Sequence, residues 1–162
     1  MRLAVTGHRP NKLGGYGEEA QRLLKQFAKT QIEKLQPTDV LTGMALGWDQ
    51  ACAQACIELG IRFVACIPCR SQEQLWPKQS QEIYVYFLRH DLCTVYRVSE
   101  EEYRAELMQR RNEYMVNNCD KLLALWDGTK GGTASCVRYA RSKNVEIINC
   151  HGDFLKIFSR TP

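Results

Sequence analysis

Short apolar runs alternate with helix-patterned stretches along nearly the whole chain, and that alternation narrows the fold more than any other feature. Strand-like runs lie at residues 2–6, 39–42, 61–67, 92–98, 121–126 and 145–149. Between them, residues 18–35, 46–59, 78–89 and 133–143 carry helical spacing. In the first of these, Ala20, Leu24, Phe27, Ala28, Ile32 and Leu35 recur every three or four positions. Ser99, with Glu102 three residues on, matches a capping box and predicts a further helix from there to about residue 118. Residues 71–76 read as a loop or short helical turn, and 154–158 as a short terminal helix. Such alternation implies βαβ units: an α/β fold with a doubly wound, mostly parallel sheet and helices on both faces. After Lys121, residues 122–126 carry no polar side chain, as expected of a strand covered on both faces. Without a linker, repeat or low-complexity segment, residues 1–162 read as one domain.

Three strand-like runs end in glycine-bearing turns that lead toward a helix. They are Thr6-Gly7-His8-Arg9-Pro10, Thr42-Gly43-Met44-Ala45-Leu46-Gly47-Trp48-Asp49 and Asp127-Gly128-Thr129-Lys130-Gly131-Gly132-Thr133. In a parallel sheet all three converge on the carboxyl edge, where such sheets hold ligands. Bare backbone N–H groups at the positive end of a helix suit phosphate. Gly131-Gly132-Thr133 is the strongest of the three, because glycine admits positive φ and Thr133 can cap the helix and offer its hydroxyl to a phosphate. No Gly-Lys-[Ser/Thr] follows, so it is not a P-loop. Gly43 and Gly47, with Met44 between them, form a relaxed dinucleotide fingerprint that would let a ligand approach the backbone. Asp49 would then accept hydrogen bonds from ribose or act as a general base; the alternative is that it only complements a helix dipole. In the first turn Arg9 can hold phosphate bidentately and His8 can meet a ribose or base.

Arg110-Arg111-Asn112 falls inside the helix predicted to end near residue 118. Adjacent arginines there point about 100° apart, so one of them can face the sheet edge, sharing a side with Met115. An inward arginine beside Met108 and Met115 needs an anionic partner. A solvated basic face is the alternative. Trp48, Trp76 and Trp126 are read as core or rim rather than as stacking platforms.

The formal net charge of +4 comes from scattered Lys and Arg, without a continuous basic stripe, so nucleic acid is disfavoured as a partner. Seven of the eight cysteines sit in apolar runs or helices and read as small core hydrophobes. Cys66-Ile67-Pro68-Cys69 lacks a second CxxC or a His pair, so no metal is expected. No run approaches the about 18 apolar residues needed to span a membrane, and no secretory leader is visible, which points to a cytoplasmic protein.

Together, Val5-Thr6-Gly7-His8-Arg9-Pro10, residues 43–49, Arg111-Asn112-Glu113-Tyr114-Met115 and residues 127–133 resemble the SLOG superfamily, nearest its YpsA/YspA-like, DUF1273 branch of bacteria and their phages. The resemblance covers about residues 2 to 149. It implies a Rossmann-like domain that binds a nucleotide or a nucleotide derivative, such as AMP, ADP-ribose or an NAD-like ligand. No cofactor is required. The ligand set it implies is Thr6, Gly7, His8, Arg9, Gly43, Met44, Gly47, Asp49, Arg111, Asn112, Asp127, Gly131, Gly132 and Thr133. Such a protein would act as a sensor, a sequestering protein or a regulator. Met108-Gln109-Arg110-Arg111-Asn112 also resembles the M-H-E-R-K segment of the Lonely Guy phosphoribohydrolases, which places Arg111 at their catalytic arginine. Gly131-Gly132-Thr133 resembles their P-G-G-x-G-T-x-x-E loop, yet Ala134-Ser135-Cys136-Val137 follows where their glutamate belongs. An N-glycosidase of nucleoside monophosphates would therefore need Asp49 or Glu113 beside Arg111. DNA binding, as in the related DprA proteins, is a third reading. Relatives often dimerise, and the apolar residues 84–88 offer a surface for a homodimer.

Overall fold

The computed structural model describes residues 1–160. Six strands, β1 (Arg2–Gly7), β2 (Asp39–Thr42), β3 (Arg62–Ile67), β4 (Cys93–Arg97), β5 (Lys121–Leu125) and β6 (Glu146–Asn149), form one all-parallel sheet in the order β4-β3-β2-β1-β5-β6. The helices are α1 (Glu18–Leu35), α2 (Trp48–Leu59), α3 (Lys78–Arg89), α4 (Ala105–Asn117), α5 (Gly132–Ser142) and α6 (His151–Ser159), with a 3₁₀ turn at Pro10–Lys12. This is the doubly wound, Rossmann-like α/β fold.

Strand pleating divides the core in two. Leu3, Val5, Phe63, Ala65, Leu123 and Leu125 point to the face covered by α1, α2, α3 and α6, where Trp48, Phe27 and Phe154 pack. Ala4, Leu41, Cys66, Leu122 and Ala124 point to the opposite face, beneath Met115 and Val116 of α4 and Cys136, Val137 and Ala140 of α5. Because side chains alternate with a period of two, β5 can be apolar throughout and still serve both layers. Residues Leu122 to Leu125 are fully buried.

The chain winds outward from β1 through β2 and β3 to β4, then returns by α4 to place β5 on the other side of β1. The turns that follow β1 and β5 therefore leave in opposite directions, and a crevice opens between them.

Three expectations are corrected. Ser99 does not cap α4: its hydroxyl accepts the Glu101 amide at 3.0 Å, closing a local turn, and α4 starts at Ala105 after Arg104. The Glu101 carbonyl meanwhile accepts the amide of Arg70, which ties this stretch to the loop after β3. Thr133 does not cap α5 either. That helix starts one residue earlier, after Gly131, without a side-chain cap, and Thr133 lies within its first turn. The first turn of α2 likewise starts at Trp48 rather than residue 46, because Met44 and Gly47 both take positive φ (61° and 96°).

Candidate functional site

A cleft of about 280 Å³ occupies the crevice between the β1 and β5 turns. Its walls come from Thr6, Gly7, His8, Arg9, Asn11 and Lys12 after β1, and from Thr129 through Ala134 after β5. Ala45 and Asp49 at the start of α2, with Met108, Arg111 and Asn112 of α4, complete the enclosure.

One wall is the bare start of α5. The first intrahelical bond runs from the Ser135 amide to the Gly131 carbonyl, so the amides of Gly132, Thr133 and Ala134 have no helical acceptor. Among the described residues, no side chain caps them. Gly131 carries φ 145° and faces open space, a conformation that a residue with a Cβ rarely takes. The turn thus presents backbone donors at the positive end of an eleven-residue helix directly to the cleft.

The deepest charges are Asp49 and Arg111, 6% and 4% exposed. Asp49 Oδ2 accepts the Ala45 amide at 3.2 Å, while Oδ1 is buried without a hydrogen-bond partner among the described residues. Burial raises this carboxyl to about 6, against opposing pulls from Arg111, the Ala45 amide and Arg9. Among the described residues, Arg111 has no carboxylate within hydrogen-bond reach. Its Nη1 donates to the carbonyls of Gly43 (2.6 Å) and Cys66 (3.4 Å), and its Nε donates to Asn112 Oδ1 (2.9 Å). Unpaired with each other, the two charges share one small volume. A buried acceptor left unmade costs about 1–3 kcal/mol, so a donor supplied by a ligand would relieve it.

A second cluster locks the two turns together. His8 Nε2 lies 2.8 Å from Asp127 Oδ1 and 3.0 Å from the Asp127 amide. One ring nitrogen cannot donate and accept at once, so the tautomer selects the carboxylate or the amide. Burial lowers the His8 pKa despite Asp127, leaving the ring neutral at pH 7. Asp127 Oδ1 also accepts the Thr129 hydroxyl (2.5 Å) and amide (2.9 Å), and Lys12 Nζ donates to Thr129 Oγ1. The Thr129 bonds first, then His8, hold the Asp127 carboxyl well below the usual carboxylate range.

Of the residues singled out from the sequence, Thr6, Gly7, His8, Arg9, Asp49, Arg111, Asn112, Gly131, Gly132 and Thr133 come together on the cleft. Gly43, Met44 and Gly47 stand behind it. A Cβ on Gly43 would sit 2.4 Å from Arg111 Nη1, so that glycine makes room for the arginine. Met44 is buried in the core, and Gly47 backs onto the His8 carbonyl. Asp127 acts on the wall through His8 and Thr129. Glu113 is half-buried on α4 and does not line the cleft. Asn11, Lys12, Ala45, Met108, Thr129, Lys130 and Ala134 also line it, outside the ligand set the resemblance implies. Lys12 and Lys130 fall inside or beside the two turns already suspected, and Met108 is one helical turn before Arg111. The tryptophans are structural: Trp48 is fully buried, Trp76 packs on Tyr84, and Trp126 donates to the Thr129 carbonyl.

The model of the YspA SLOG family matches residues 3–156. The chain belongs to that family. Among similar family-sized proteins is the uncharacterized SPbeta prophage-derived protein YoqJ of Bacillus subtilis (strain 168), 31% identical over 70% of this chain and 77% of its own length. A UPF0398 protein of Bacillus thuringiensis (strain Al Hakam) is 24% identical over 94% of this chain and 89% of its own. The SLOG fold is shared with DNA processing protein A of Streptococcus pneumoniae (TM-score 0.65, 16% identity, 90% of this chain). It is shared too with the molybdenum cofactor carrier protein of Chlamydomonas reinhardtii (TM-score 0.55, 16% identity, 98% of this chain and 82% of that one). The chain spans about half the length of the Streptococcus protein, 48%. Among the described residues, no helix is long and apolar enough to cross a membrane.

Proposed function

We propose that this SLOG protein binds a phosphate-bearing nucleotide or nucleotide derivative in the cleft between β1 and β5. The observation that carries the reading is Asp49, with its Oδ1 buried and unpartnered, lining the same cleft as Arg111 and the uncapped amides of α5. A phosphate would sit on the amides of Gly132 to Ala134, with Arg9, Lys12 and Lys130 at the rim adding positive charge. A sugar hydroxyl would donate to Asp49 Oδ1, and Arg111 Nη2, which makes no hydrogen bond among the described residues, would donate to a ligand oxygen. At about 280 Å³ the cleft lies just below the usual range of small-molecule sites, about 300–1,000 Å³, which favours a mononucleotide-sized ligand over a longer one. Isothermal titration with AMP, ADP-ribose and NAD tests this. A Kd below about 1 mM, roughly −4 kcal/mol, is expected for at least one, and no binding to any would overturn it. A salt-dependent gel shift on single-stranded DNA, in place of nucleotide binding, would move the reading toward nucleic acid; the Helicobacter pylori neighbour is known by its single-stranded DNA binding mode.

A second reading has its own observation. A buried carboxyl raised to about 6 is suited to general acid–base work near neutral pH. With Glu113 outside the cleft, Asp49 is the carboxylate that would stabilise or activate water at the sugar of a cleaved N-glycosidic bond, with Arg111 holding the phosphosugar. Release of free base from AMP, lost in Asp49→Ala and Arg111→Ala, separates the enzyme from the binder; binding without release favours the binder.

A further inference from the structure

Helix α3 is packed on the sheet by Tyr84 and Phe87, each 3% exposed. Its opposite side carries Glu82, Val85, Tyr86 and Arg89, at the i, i+3, i+4, i+7 spacing of a single stripe. Val85 is 40% and Tyr86 52% exposed, and the stripe continues into His90 and Asp91 to line a shallow surface groove of about 460 Å³. Glu82 and Arg89 are both exposed, and neither has an ion-pair partner among the described residues. They lie seven residues apart, about 10.5 Å along the axis, too far to pair with each other.

The order along the stripe is acid, apolar, aromatic, base. It is complementary to itself when read backwards, which is what a two-fold interface requires. A two-fold axis between Val85 and Tyr86 sets two α3 helices antiparallel, Glu82 of each copy opposite Arg89 of the other. Val85 and Tyr86 then meet at the axis. A parallel arrangement would instead oppose Glu82 to Glu82 and Arg89 to Arg89, so charge alone rejects it. We infer that a second copy of this chain docks on α3, antiparallel, with two reciprocal Glu82–Arg89 pairs bracketing Val85 and Tyr86. The apolar centre supplies association, and the flanking pairs fix direction and register. This face lies on α3, away from the cleft residues, so the ligand site stays open in the dimer.

Sedimentation velocity on the full chain tests it. The wild type is expected to be dimeric at about 10 µM, as a Kd of about 1 µM or lower requires. Glu82→Arg and Arg89→Glu, which each create two like-charge contacts, should both give monomers. The double variant Glu82→Arg/Arg89→Glu should restore the dimer, because its pairs are re-formed with the signs exchanged. Val85→Ser, which changes no charge, should also give a monomer. All four positions are exposed, so circular dichroism melts should match the wild type. A wild type that is monomeric up to about 100 µM would overturn the inference. So would single exchanges that leave the dimer intact, or a double exchange that fails to restore it.

Discussion

Asp49→Asn should make the protein more stable and its ligand site worse, with a pH signature that follows from the burial of one carboxylate. Burial raises the Asp49 carboxyl from 3.8 to about 6, a penalty on the charged form on the order of 3 kcal/mol. The sign follows from proton counting. Between about pH 4 and pH 6 the folded chain holds a proton on Asp49 that the unfolded chain has released, so stability falls as pH rises through that window. Above about pH 6.5 the charged, desolvated form carries the whole penalty. The asparagine variant has no such titration. Constant terms, such as a slightly altered bond to the Ala45 amide, cancel when the variant is compared with wild type across pH. Urea unfolding at pH 4, 5, 6 and 7 gives the readout. The stability of Asp49→Asn relative to wild type should climb by about 2 kcal/mol over that range, about 1 M in midpoint for an m-value near 2 kcal/mol/M. AMP affinity at pH 7 should fall in the same variant, because the acceptor for the sugar is half replaced by a donor. A difference that does not vary with pH, or one that shrinks toward pH 7, would refute the argument.

Two further substitutions probe the supports of the site. Gly43→Ala drives a methyl into the Arg111 guanidinium, 2.4 Å from Nη1, and should cost about 1–3 kcal/mol in urea unfolding while weakening nucleotide binding at least about tenfold. Asp127→Asn removes a carboxylate held below its ordinary range, whose stabilisation is present above the unfolded value near 4 and is lost as pH falls through the lower folded one. The variant should therefore melt below wild type at pH 7, with the gap closing as scanning calorimetry moves to pH 3; a gap that stays constant contradicts this.

The strands and most helices were legible because their signals are local. The apolar run of β5 and the three-and-four spacing of α1 need no distant partner to be read. The catalogue of turns after β1 and β5 was also enough to find the cleft, since parallel winding forces both turns to one edge. What escaped was settled by contacts far apart in sequence. Gly43 looks like a ligand glycine until Arg111, 68 residues away, is seen pressed on it. Ser99 fits a capping pattern, but its hydroxyl serves the Glu101 amide, and the loop is drawn to Arg70 instead. Residues 71–76 are shaped by Gln72, which donates to the Gly43 carbonyl and accepts from Tyr84. Lys12 joined the wall because Thr129, 117 residues later, receives its ammonium. No local pattern encodes these pairings.

Amide chemical-shift mapping of ¹⁵N-labelled protein during titration with AMP, and in parallel with adenosine, tests the central claim most directly. The account predicts the largest AMP-induced shifts at Gly132, Thr133 and Ala134, together with changes around Ala45 and Asp49. It predicts that adenosine, lacking the phosphate, leaves the α5 amides in place. Shifts from AMP that gather away from the β1–β5 crevice, or that adenosine reproduces at those three amides, would contradict it.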